Sequence, residues 1–412
     1  VLHYIAARHV SWAIAALGGT DLSRDDGGIM TPHNRTIRLT QDDGIVLPAL
    51  VLNSLNAGVY VTDVDRRIVY WNQTAQRITG WRSQDILGKA CHEQVLCHVD
   101  KDDRPLCGEE FCPLHRAITT GTSSDVPIVV FALSARKRRV PMRVSVAPLR
   151  DSDGRTIGGV EMFLDMSQEV GDMQRAQRIQ AQCLLNEAGN DPRLAVRMHY
   201  TPHDMIGGDF CAVSRAGPDH YAFIVADVMG HGLSAALYTM YLRSLWDEYC
   251  RQKTPAAILA AMNKRLSSVM SGDGGFATAV CGTVDVPQGR LFLASAGGPT
   301  PLLCNKDGCQ PVPEMSGLPM GLLDQDEYNQ VEQQLGPDGR LLLFSDGLVE
   351  VRDGQGQCLE TDGLIRLLQD LQYPARSLDV PGLEERLLKY SNAIRFDDDI
   401  TLLELRLGSL AD

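Results

Sequence analysis

The sequence predicts an α+β chain of two folded parts joined by a helix. Three observations carry this. A block from about 47 to 165 shows short alternating strands around one capped helix. A polar helix with a single apolar stripe follows, over 166–190. From 191 to 412 strands dominate and the helices come in pairs, which points to an αββα sandwich, two sheets face to face with helices outside. The 412 residues suffice for two or three domains with full cores.

In the first block, Gly58-Val-Tyr-Val-Thr-Asp63 and Arg67-Ile-Val-Tyr-Trp71 read as two strands joined by a turn at Asp65. Asn72 suits an N-cap for a helix over Gln73–Ile78, and Gly80 suits its end. Strands are expected at 126–133, 140–149 and 157–165, the last two joined by an Asp153-Gly154 turn. In the joining helix, Met166, Val170, Met173, Ala176, Ile179, Cys183 and Leu184 recur every three or four positions. Such a stripe needs a neighbour or a second copy of itself, so a homodimer is expected. In the last block strands are expected at 194–200, 221–226, 277–285, 290–295, 340–345 and 400–407, and helices at 232–250, 255–270, 362–372 and 382–392.

Residues 1–46 have little periodicity and are expected to form a poorly ordered arm, with Met30 as the expected true start. The net charge of −13 argues against a nucleic-acid partner. The one basic cluster, Arg136-Lys137-Arg138-Arg139, lacks interleaved aromatics and reads as a solvated hairpin tip. No apolar run reaches the roughly 20 residues of a membrane span, so no membrane association is expected. Eleven scattered cysteines suit a reducing, cytoplasmic setting.

Four acidic stations stand out, Gly207-Gly208-Asp209-Phe210, Asp227-Val228-Met229-Gly230-His231-Gly232, Ser345-Asp346-Gly347 and Asp397-Asp398-Asp399-Ile400-Thr401, the last three beside apolar runs that read as strands. A carboxylate at the end of a buried strand has a fixed position, and several such ends make an oxygen-rich pocket for hard divalent cations. Paired glycines let backbone approach a ligand closely. The helix opening at Gly232 offers a partial positive charge to an anion. His231 on its own reads as a structural histidine. Three consecutive acids usually mark a solvated loop, but these lead straight into a buried strand, where bound cations would relieve the repulsion.

Taken together, these stations resemble the SpoIIE-type branch of the PPM metal-dependent serine/threonine phosphatases. Phe276-Ala277-Thr278-Ala279, Gly317-Leu318-Pro319-Met320-Gly321, Leu342 to Glu350 and Asp398-Asp399-Ile400-Thr401 add to the match, which runs over about 175–407. The family's usual Ala-Gly-His stands here as Ala296-Gly297-Gly298. The resemblance implies two Mn²⁺ or Mg²⁺ ions, with Asp227 bridging both and the Val228 carbonyl on one. It implies Asp209 on one ion and Asp346 and Asp398 on the other, with Asp399 the weaker candidate. Asp227 and Asp209 are thus the expected catalytic pair, activating a water for in-line attack on phosphorus. The implied substrate is a phosphoprotein, an anti-sigma-factor antagonist by family analogy.

The first block resembles a PAS domain through Gly58 to Asp63, Ile68-Val-Tyr-Trp-Asn72, Ala75, Gly80-Trp81 and Gly88-Lys89. That implies a sensor fold, often ligand-binding and dimeric. Inside it, Cys91, Cys97, Cys107 and Cys112, with His92, His98 and His115, form a soft-donor cluster. Haem, zinc, an iron–sulfur cluster or a thiol redox pair would suit such donors. The spacing Cys-x5-Cys-x9-Cys-x4-Cys matches no standard zinc ribbon. Two rival readings remain: a non-catalytic scaffold on a phosphatase fold, and a nucleotide cyclase. The second lacks the glutamate that a Gly-Gly-Asp-Glu-Phe motif would need between Asp209 and Phe210.

Overall fold

A computed structural model describes residues 46–408 apart from 109–111, 127, 183, 190, 231, 253, 271, 273, 325–326, 337 and 394. The expected arm, apart from Val46, lies outside the described residues, as do Met30 and His231. The chain forms two compact units that divide between Gly171 and Asp172.

The first unit contains α1 (Val46–Ser54), β1 (Gly58–Asp63), β2 (Ile68–Trp71), α2 (Gln73–Thr79), α3 (Ser83–Ile86) and a π-turn over Cys91–Val95. It continues with α4 (Pro113–Thr120), β3 (Ser124–Asp125), β4 (Val130–Leu133), β5 (Arg139–Arg150) and β6 (Thr156–Asp165). The antiparallel sheet runs β2-β1-β6-β5-β3, with β4 also on β5. Asn72 caps α2 as expected, its Oδ1 accepting from the Ala75 N–H at 2.7 Å, and Gly80 ends the helix at φ 75°. The same amide donates to the Leu52 and Ala57 carbonyls, tying α1 to the sheet edge. Of the strand expected over 126–133 only Val130–Leu133 (β4) is strand, with β3 lying ahead of it at Ser124–Asp125. Pro127 has no N–H to give to a ladder, so a continuous strand there is disfavoured.

The joining helix, α5, covers Ser167–Gln180 and is shorter than the expected 166–190. Beyond it, β7 (Leu185–Asn186) pairs in parallel with Ala212 and Val213. The stripe continues on paper past Gln180, but Leu185 and Asn186 pair with β9 instead of extending the helix.

The second unit holds β8 (Leu194–Thr201), β9 (Asp209–Arg215), β10 (His220–Val228), α6 (Leu233–Tyr249), α7 (Pro255–Met270), β11 (Ala277–Asp285) and β12 (Arg290–Ala296). Then come β13 (Leu302–Asn305), β14 (Gly308–Pro311), β15 (Gln330–Gln334), β16 (Arg340–Phe344), α8 (Glu360–Asp370), α9 (Val380–Ser391) and β17 (Ile400–Leu407). One sheet runs β15-β12-β11-β10-β9-β7 and the other β14-β13-β16-β17-β8.

Strand periodicity sorts the side chains into three cores. Phe210, Ala212, Ala222, Ile224 and Ala226 pack with Leu242, Trp246, Ile258 and Met262 of α6 and α7. Their neighbours Cys211, Val213, Phe223 and Val225 meet Leu341, Leu343, Leu403 and Leu405 between the sheets. Leu342, Phe344, Ile400 and Leu402 pack with Leu364 and Leu387 of α8 and α9. The αββα sandwich expected from the sequence is the architecture observed. Phe223, fully buried, lies over Gly282, where a Cβ would come within 2.3 Å of its ring.

Candidate functional site: an acidic centre at one end of the sandwich

The alternation that builds the cores also positions the site. Asp209 shares parity with Cys211 and Val213, and Asp227 with Phe223 and Val225, so both project between the sheets. They are direct cross-strand partners in β9 and β10. On the facing sheet, Ser345 continues the inter-sheet parity of Leu341 and Leu343, and Thr401 that of Leu403 and Leu405. Asp346 follows Ser345 at the start of a single 3₁₀ turn, and Asp398 and Asp399 lead into β17.

The two sheets are joined at this end by side chains. The Thr401 hydroxyl donates to Asp209 Oδ2. Ser345 Oγ accepts from the Thr401 N–H at 2.9 Å and donates to the Asp399 carbonyl at 3.2 Å. Asp399, buried, accepts from the His203 N–H at 2.7 Å with Oδ1 and from the Gly208 N–H at 2.6 Å with Oδ2. It therefore holds the 203–209 loop rather than pointing free into the centre.

The glycines are required by closeness. A Cβ on Gly207 would stand 1.9 Å from Asp399 Oδ2, one on Gly208 2.7 Å from the Val228 carbonyl oxygen, and one on Gly347 2.1 Å from the Asp399 carbonyl oxygen. Two helices also grip this loop. Gln180, the last residue of α5, donates to the Gly207 carbonyl at 2.6 Å and accepts from its N–H at 3.3 Å. Thr239 of α6 donates to the Gly208 carbonyl at 3.0 Å.

The electrostatics are those of crowded acids. Burial, then the charges of Asp227 and Asp399, raise Asp209 well above the carboxylate range. Asp227 is pushed up to about 8 by burial and then by Asp346, Asp398 and Asp399. Asp346 rises to about 6 through burial, Asp398 and Glu350. Among the described residues no lysine or arginine pairs with any of these acids. Among the described residues Asp209 Oδ1 and the Tyr200 hydroxyl are buried without hydrogen-bond partners, and Tyr200 is raised by burial and by Asp399 and Asp209.

A donor set of acceptor-only oxygens, one of them orphaned, fits hard divalent cations. Among the described residues no three acidic, histidine or cysteine side chains are already gathered at metal-bonding spacing. The structure thus brings Asp209, Asp227, Asp346 and Asp398 into one electrostatic group, with the Val228 carbonyl beside Gly208. Sequence reasoning missed Gln180 and Thr239, which act through loop contacts that no local pattern announces, and Tyr200, whose hydroxyl lies beside Gly207.

Residues 217–408 match the family model Stage II sporulation protein E (SpoIIE), and residues 52–171 match the PAS fold. The chain is a PAS segment followed by a SpoIIE-family segment. It is similar to phosphoserine phosphatase RsbP of Bacillus subtilis (strain 168), 27% identical over 183 residues, 43% of this chain and 45% of that protein. It is also similar to phosphoserine phosphatase RsbU of the same organism, 26% identical over 212 residues, 49% and 62% of the two chains. The chain thus spans about half the length of these curated relatives. Among solved structures, the SiaA-PP2C domain of Pseudomonas aeruginosa aligns over 58% of this chain and 97% of that domain, at 26% identity and a TM-score of 0.49.

The cysteines of the PAS segment divide. Cys91 and Cys112 are buried, and Cys97 and Cys107 partly so. The charge of Glu161 bears on Cys91 and Cys107, whereas Cys97 faces Arg139 and Lys137. Among the described residues of either unit, no helix is long and apolar enough to cross a membrane.

Proposed function

We propose that the chain is a signal-regulated protein phosphatase acting on phosphoserine or phosphothreonine, with Asp209, Asp227, the Val228 carbonyl, Asp346 and Asp398 holding two Mn²⁺ or Mg²⁺ ions. The observation that carries this is the unneutralised acidic group between the sheet ends, within a SpoIIE-family segment. Bound there, the cations would supply Lewis acidity and a water of lowered pKa. The chain's own part is to fix that group. Thr401 orients Asp209, Asp399 secures the glycine loop, and Gly232 leads into α6, whose first N–H groups suit a phosphate oxygen.

The relatives' names speak of phosphoserine, and the family resemblance points to a regulatory phosphoprotein, an anti-sigma-factor antagonist. The PAS segment supplies the signal input. The half-exposed stripe of α5 suits a homodimer, and the composition suits a cytoplasmic setting.

Hydrolysis of an aryl phosphate and of a phosphoserine peptide in Mn²⁺ tests the reading. The chain should turn over both, and Asp227→Ala should remove at least about a hundredfold of the rate, on the scale of losing one transition-state charge contact. A folded chain inert toward both in Mn²⁺ and Mg²⁺ would instead be the scaffold.

A further inference from the structure

The hydrophobic core of the PAS segment carries polar groups that its packing leaves unsatisfied. Trp71, Tyr60, Glu161 and Val146 form one cross-strand row, Trp71 opposite Tyr60, Tyr60 opposite Glu161 and Glu161 opposite Val146. The row faces the core that contains Cys91, Leu96, Cys112 and Leu114. Glu161 is 2% exposed and His98 is 6% exposed, yet Glu161 Oε1 and His98 Nε2 have no hydrogen-bond partner among the described residues. An orphaned buried carboxyl and imidazole are each expensive, and a core without compensation would not retain them.

Their spacing is informative. His98 Nε2 and Glu161 Oε1 stand 3.6 Å apart. That is too long for a hydrogen bond. It is close to the edge of a tetrahedron with bonds of about 2.0–2.2 Å, about 3.3–3.6 Å, the separation of two donors on one zinc ion. Around the pair lie thiols. Cys91 and Cys107 feel the charge of Glu161, and Cys112 bears on both. Cys107 Sγ accepts the His98 N–H at 2.9 Å, and Cys112 Sγ accepts the His115 N–H at 3.5 Å. Such N–H···S contacts are the outer support that a metal thiolate uses.

An organic ligand fits less well. The rings of Tyr60, Trp71 and Phe163 fill the space beside Glu161 with centroids 5.5 to 6.4 Å apart, and a ligand of drug size would have to displace them. A single ion needs no such space.

We infer that the PAS segment holds one zinc-class transition-metal ion, ligated by His98 Nε2, Glu161 Oε1 and two of the thiols of Cys91, Cys107 and Cys112. Among the described residues these donors are not at bonding spacing, so the inference requires two of the thiols to close on the pair when the ion binds. The site is separate from the acidic centre and does not depend on the phosphatase reading.

The test is elemental analysis of the purified full chain carrying Asp227→Ala, which silences the acidic centre, followed by exchange into Co²⁺. About one equivalent of zinc per chain is expected after gel filtration, and Co²⁺ should give the near-ultraviolet thiolate charge-transfer band that an all-oxygen site cannot produce. Glu161→Gln and His98→Gln should each weaken retention about ten- to a hundredfold while circular dichroism is unchanged. Metal-free protein without a Co²⁺ thiolate band overturns the inference with no variant needed. So does iron with acid-labile sulfide, or zinc retained undiminished by folded Glu161→Gln.

Discussion

Asp399 shows how a residue beside the chemistry differs from one in it. Of the triple acid, Asp398 is exposed toward the centre's rim, while Asp399 is 4% exposed and bound by three backbone N–H groups, from His203, Gly208 and Asp209. Replacing Asp399 by alanine should therefore act on the loop that presents Asp209. Mn²⁺ affinity should fall about ten- to a hundredfold, the usual range for an outer support, while kcat at saturating Mn²⁺ falls less. A Mn²⁺ dependence of the rate separates the two effects. Gly207→Ala should be worse than its size suggests, because its Cβ meets Asp399 Oδ2 and the Tyr200 hydroxyl at 1.9 and 2.1 Å. A loss of about 1–3 kcal/mol in denaturant unfolding is expected. Asp227, Asp346 and Asp398 were legible in the sequence because each adjoins an apolar run that reads as a buried strand, and Asp209 because two glycines precede it, although the strand it opens was not expected. Tyr200 was not legible. It reads as one more residue of β8, and only the crossing of the 203–209 loop gives its hydroxyl meaning.

At the scale of elements, α5 is the instructive departure. Its apolar stripe predicts a helix to 190, but the helix ends at Gln180, whose side-chain amide pairs with both backbone groups of Gly207. Periodicity cannot register a competitor from elsewhere, and here a parallel pairing of Leu185 and Asn186 with β9 competes for the chain. The same helix end thereby touches the loop that carries Asp209. Gln180→Ala should lower Mn²⁺ affinity about ten- to a hundredfold and leave the melting of the second unit within about 1–3 kcal/mol, the desolvation penalty of the unpaired Gly207 groups. Calorimetric Mn²⁺ titration beside thermal unfolding reads both. The strands expected at 277–285, 340–345 and 400–407 were legible to within a residue, whereas β9 and the short strands β7, β13, β14 and β15 were not anticipated. Runs such as Leu341 to Phe344 are buried on both faces, and a fully apolar strand leaves little room for another assignment.

For the whole molecule, two compact units predict two unfolding transitions, of which Mn²⁺ should raise only that of the second unit if the acids are its site. The pH dependence follows from the raised carboxyls. Asp227 near 8 and Asp346 near 6 bind protons more tightly in the folded chain than the ~3.9 of an unfolded aspartate. Between about 4 and 8 the native state therefore holds the extra protons. The contribution is full below about 4 and is lost as pH rises through about 8. In chelator, the second unit's melting temperature should fall across that window, Mn²⁺ should restore it, and Asp227→Asn should flatten the slope. Differential scanning calorimetry at several pH values follows all three.

The most direct measurement is a Mn²⁺ titration of the purified chain by calorimetry, run beside the same titration of Asp227→Asn. Two equivalents bound by the parent chain, with saturable binding lost in the variant, is the predicted result. A parent chain that binds no Mn²⁺ saturably, or a variant that binds it as the parent does, would contradict the claim that these four distant carboxylates form one cation centre.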